Sequence, residues 1–106
     1  MSDPIPRDVA DTLAADLCRL PGVADLHPGQ FGEVALLYPR HRVAGLRLVG
    51  DRVEVHLVVD LSARRPLTEL ADAARDLTTA SLTATAAAGL PVDVHLADAT
   101  SARESA

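Results

Sequence analysis

One five-residue phrase is written twice in this chain, as Val53-Glu54-Val55-His56-Leu57 and as Val92-Asp93-Val94-His95-Leu96. Both copies alternate apolar and polar residues, and a β-strand sends successive side chains to opposite faces. Val53, Val55 and Leu57 therefore share one face, with Glu54 and His56 on the other. The second copy sorts Val92, Val94 and Leu96 from Asp93 and His95 in the same way. A chain with two such segments has to build a sheet with one buried face and must lay something apolar against it. Gly50-Asp51, between Gly45–Val49 and Arg52–Asp60, supplies the turn of a β-hairpin.

The covering layer is expected from two helices. Val9, Leu13, Leu17 and Leu20 recur at helical spacing over Arg7–Leu20, with Asp8, Asp11 and Asp16 on the wet side. Pro21-Gly22 ends that helix, since proline cannot extend it and glycine tolerates the exit conformation. A second helix is expected from Leu67 to Ala88, closed by Gly89 and Pro91. Strands are expected at Val23–His27, Glu33–Tyr38, Gly45–Val49, Arg52–Asp60 and Val92–Asp98. The sum is an α+β two-layer sandwich, a mostly antiparallel sheet of four to five strands with two helices packed on one face. One domain spans residues 7–98, with flexible termini at 1–6 and 99–106.

Composition excludes several classes. There is no Trp, one Phe and one Tyr, so Leu, Val and Ala must fill the core. The net charge of −5 counts against a general nucleic-acid binder. No apolar run approaches the roughly 20 residues that span a bilayer, and the start lacks the basic and apolar regions of a secretion signal. Cys18 is the one cysteine, which rules out an internal disulfide and a CxxC site. These features predict a cytoplasmic protein. No nucleophile elbow, HExxH or phosphate-binding loop with Lys is present, so neither an enzyme nor a cofactor is expected.

Three groups of residues stand out as candidate sites. His56 and His95 occupy equivalent outward positions. If their strands are neighbours in register, the imidazoles approach each other and could hold a transition metal. Two ligands without a third favour plain surface histidines and no metal, although Glu54, Asp93 or a symmetry mate would complete a shell. Arg40, Arg42 and Arg47, with His41, form a basic cluster that could meet phosphates or an acidic partner. Gly29-Gln30-Phe31-Gly32 matches a GxxG nucleic-acid clamp in spelling but lacks the basic neighbours that such a loop uses. The stretch from Leu77 to Leu90 carries no charge, and its Thr78, Ser81, Leu82 and Thr85 offer a surface for self-association. Cys18 beside the apolar stripe reads as a buried small thiol.

The order of elements with their punctuation resembles a known family. Leu20-Pro21-Gly22-Val23 follows the first helix. Gly32-Glu33-Val34-Ala35, Val43-Ala44-Gly45-Leu46-Arg47-Leu48 and Val53–Val59 come next, and Gly89-Leu90-Pro91-Val92 leads into the closing strand. This pattern is similar to the alkaline-shock or general-stress family of Gram-positive bacteria, in its short actinobacterial branch of envelope stress response proteins. The likeness covers residues 7–98 and departs from longer members in lacking their extended charged termini and their Lys-rich composition. It implies a non-enzymatic, self-associating scaffold at the cytoplasmic side of the membrane. Its partners would be copies of itself, paralogues or a small membrane-anchored protein. Two other readings follow from the residues: a small nucleic-acid-binding domain using the Arg cluster, and a metal- or ligand-responsive module using His56 and His95.

Overall fold

Arg52–Asp60 (β5) organises the domain, because its odd-numbered residues from Val53 to Val59 are buried and both of its edges are paired. The structure, a computed structural model, describes residues 3–101. In chain order the elements are α1 (Arg7–Cys18), β1 (Val23–Leu26), β2 (Ala35–Tyr38), β3 (His41–Ala44), β4 (Leu46–Val49), β5, α2 (Leu67–Ser81) and β6 (Val92–Thr100). A single 3-10 turn at Leu61–Ala63 leads from β5 towards α2.

Two strands divide one edge of β5 between them. β1 runs antiparallel beside Leu57–Val59, and β4 runs antiparallel beside Arg52–Val55. Gly45 lies at the changeover: its carbonyl accepts from the His56 N–H and its own N–H donates to Val34, each at 2.9 Å. β6 occupies the other edge, parallel to β5, from Val53 opposite Val92 to Asp60 opposite Thr100, with one irregularity between Leu57 and Val58. β2 and β3 form a separate two-stranded hairpin. Two helices on a mixed four-stranded sheet with this hairpin at its side make an α+β fold.

The two helices cover the face that carries Val53, Val55, Leu57 and Val59. Ala10, Leu13 and Leu17 of α1 and Leu70 and Ala74 of α2 join these valines in one buried cluster. Each fully buried Leu in it contributes about 1.5–3 kcal/mol relative to an exposed one. Leu36 and Val43, cross-strand partners in the hairpin, close the cluster from the side.

Several boundaries differ from the sequence expectation for local reasons. α2 ends at Ser81 rather than Ala88. Beyond it the Thr83 and Thr85 hydroxyls donate to the carbonyls of Ala80 and Leu82, and Thr85 also accepts from the Ala87 N–H. Such side-chain bonds offer the backbone an alternative to the helix ladder. β3 is an added strand, reached through Arg40 in the left-handed conformation at φ 57°. β6 continues to Thr100, past the expected start of a tail at 99. Ile5, expected in a flexible lead-in, is buried, and its carbonyl accepts from the Tyr38 hydroxyl at 2.7 Å. The expected flexibility of residues 1–2 and 102–106 lies outside the described residues.

Candidate functional sites on the open sheet face and its edge

The even-numbered residues of β5 and their neighbours face away from the helices, and there the polar half of the repeated phrase assembles. The parallel register sets Glu54 beside Asp93 and His56 beside His95. On the other flank the Gly50-Asp51 turn brings Arg47 opposite Glu54. The Arg47 Nε donates to Glu54 Oε1 at 2.8 Å, and the same oxygen lies 2.9 Å from His56 Nε2. The His56 and His95 rings stack, with centroids 4.3 Å apart and planes 11° from parallel.

Shielding is uneven across this cluster. Side-chain exposure is 14% at Glu54 and 12% at His56, while His95 is exposed. The hydrogen bond from His56, then the hydrogen bond and charge of Arg47, hold the Glu54 carboxyl below the ordinary glutamate range despite its partial burial. Asp93 is likewise held low, by the two-pronged bond it accepts from Arg52 at 2.7 and 2.6 Å. One carboxylate oxygen and the two imidazoles of Glu54, His56 and His95 lie within 4.8 Å of one another. The condition set by the sequence, neighbouring strands in register, is met, and Glu54 supplies the third donor that two histidines lacked.

Arg40, Arg42 and Arg47 differ in what they contact. Arg47 belongs to the sheet face through Glu54, and Arg42 of β3 donates to the Gly32 carbonyl in the loop before β2. Arg40 is exposed at the tip of that hairpin. A signal for Arg47 was present in the sequence, since Arg47 and Glu54 are equidistant from the Gly50-Asp51 turn.

The reading of the uncharged stretch is corrected at two residues. Thr78 and Leu82 are buried, at 0% and 2% exposure, so neither can meet another chain in the folded state. The Thr78 hydroxyl donates to the Ala74 carbonyl one turn back, which lets a polar residue occupy a core position. Ser81 and Thr85 remain half-buried, each hydroxyl bonded to a nearby carbonyl. Cys18 is exposed rather than buried; partial desolvation, then the Asp25 carboxylate, push its thiol pKa up and reduce its reactivity.

Two further surfaces are open. Among the described residues the outer edge of β6 has no strand partner, and residues 97–100 on it are exposed. On the β2–β3 hairpin Leu37 is 74% exposed, and Phe31 in the preceding loop is 86% exposed. A depression of about 220 Å³ lined by Asp8, Val9, Thr12, Leu13 and Ser81 is smaller than the roughly 300–1,000 Å³ of small-molecule sites. No helix among the described residues is long and apolar enough to cross a membrane.

Comparisons with protein-family models, with curated proteins and with solved structures found no match to this chain.

Proposed function

We propose that this chain is a non-enzymatic interaction module that self-associates through the outer edge of β6. The observation that carries this reading is the edge itself, a nine-residue strand paired on one side only. On it the Ala99 N–H donates to the Asp98 carboxylate at 2.8 Å, and the Val92 carbonyl accepts from Arg75 at 3.3 Å. The other backbone groups on this edge are a template for an added strand, and small side chains at Ala97 and Ala99 leave approach to them unobstructed. The resemblance to alkaline-shock proteins supplies the setting: an envelope stress scaffold in the cytoplasm, held at the inner face of the membrane by a small anchored partner.

Lysines on an edge strand oppose strand addition without touching the core. The test is therefore sedimentation of the wild type and of an Ala97→Lys/Ala99→Lys variant, with circular dichroism as the control for folding. The wild type should sediment as a dimer or larger species and the variant as a monomer with an unchanged spectrum. A wild type that stays monomeric at millimolar concentration, or a variant that associates as before, refutes the proposal.

A further inference from the structure

We infer that Glu54, His56 and His95 form a binding site for a divalent transition-metal ion of the zinc or copper type, on the open face of the sheet. This inference is independent of the strand-edge reading, because its residues face out of the sheet plane rather than along its edge.

Donor chemistry comes first. Two imidazoles and a carboxylate are the ligand set that borderline metals prefer over Mg²⁺ or Ca²⁺, which take oxygen alone. The three come from one row and a half of a parallel ladder: Glu54 and His56 are two residues apart on β5, and His95 is the register partner of His56. Glu54 and His56 are largely shielded from water, which lowers the competition a bound ion meets. Their Oε1 and Nε2 atoms already sit 2.9 Å apart.

Geometry then says what must move. Zn–N and Zn–O distances of about 2.1 Å around a tetrahedral ion put neighbouring donor atoms roughly 3.4 Å apart. The donors here all lie within 4.8 Å of one another, and the Glu54 Oε1 and His56 Nε2 pair, at 2.9 Å, has to open slightly. Rings stacked 11° from parallel also send their in-plane lone pairs side by side rather than to one point. Swinging the exposed His95 ring out of the stack brings its lone pair towards His56 Nε2 and Glu54. Ligation through Nε2 requires the neutral His56 ring to carry its proton on Nδ1, and the ion then takes the place of the Nε2 proton against Glu54.

Charge sets the strength. Arg47 binds the same Glu54 oxygen from the other side at 2.8 Å, and a guanidinium there opposes a second cation. Asp93, beside Glu54 in the register, is engaged by Arg52 and adds little attraction. With three protein donors and positions left for water, binding should be micromolar, and removing the Arg47 charge should tighten it. That last effect separates a metal site from an ordinary ion-paired surface, where Arg47 would only be a stabilising partner.

The experiment is titration of the full chain with Zn²⁺, followed by calorimetry and by the histidine ring signals in NMR. A Cys18→Ser background removes the exposed thiol as a competing ligand. One equivalent of Zn²⁺ should shift the His56 and His95 ring signals and leave those of His27 and His41 in place. His95→Ala and Glu54→Gln should each weaken binding roughly tenfold or more, and Arg47→Gln should strengthen it. His95 is exposed, so its variant tests the site without risk to the fold. No saturable binding at millimolar Zn²⁺, or a His95→Ala variant that titrates like the wild type, overturns the inference.

Discussion

Replacing Gly45 by alanine should be among the most damaging single-atom-group changes available to this domain. Its φ of 89° lies where an L side chain is disfavoured by about 1–2 kcal/mol. A Cβ added there would also stand 2.5 Å from the Leu26 Cβ, with the Leu26 Cγ at 3.2 Å. Carbon atoms pack at about 3.5–4.0 Å, so something must yield. The Leu26 Cβ is the root of a side chain fixed to β1, and relief requires moving the strand itself. Overpacking of this kind costs about 1–3 kcal/mol, which with the backbone penalty makes about 2–5 kcal/mol. Gly50 is the control: its φ of 60° is also left-handed, but a Cβ there meets nothing within 4 Å. Gly50→Ala should therefore lose only the backbone part, about 1–2 kcal/mol. Urea unfolding followed by circular dichroism gives both differences directly. Equal losses in the two variants would show that the close approach of β1 to Gly45 does not hold, and with it the sharing of one β5 edge by two strands.

Two further outcomes follow from named contacts. Glu54 has a folded pKa below its ordinary value, so the stability it supplies is present above about pH 4.3, the unfolded value. That stability is lost as the pH falls through the lower folded value. The advantage of the wild type over Glu54→Gln in urea melts should hold at neutral pH and shrink in acid, and a gap independent of pH would contradict the assignment. Leu82→Ala should cost about 2–5 kcal/mol of stability in the same melts, because Leu82 is 2% exposed. Loss of association with unchanged stability would instead place Leu82 on a surface.

What the sequence revealed depended on periodicity. The apolar faces of β5 and β6 and the stripe of α1 follow from spacings of two and of three to four; β5, Val92, Leu13 and Leu17 enter the core, and Val9, Leu20, Val94 and Leu96 pack against it. The β2–β3 hairpin was half visible. Its strand at Ala35–Tyr38 alternates weakly, and its turn puts Arg40, not Gly or Asn, in the left-handed conformation. The end of α2 was illegible because no glycine or proline marks it; hydroxyls of Thr83 and Thr85 end the helix from within an Ala-rich run. The repeated phrase revealed that His56 and His95 are equivalent. It did not reveal that they are adjacent, which depends on the parallel crossover through α2. Reading Arg40, Arg42 and Arg47 together rested on nearness in the chain alone. The hairpin register gives Arg47 to Glu54 instead.

The pairing of β5 on both edges also divides the domain by mobility. Its His56 and Asp60 amides bond towards Gly45 and Gly22, while its Val53 amide bonds towards Pro91. Opening β5 therefore means detaching β1, β4 and β6 together, which is close to unfolding the whole domain, and its amide protons should be the last to exchange with solvent. β6 is held from one side and can fray without that cost. The paired carboxylate and imidazole of Glu54 and His56 thus ride on the slowest part of the molecule, and the facing imidazole of His95 rides on a faster one. Between them the open face of the sheet has one fixed jaw and one hinged jaw.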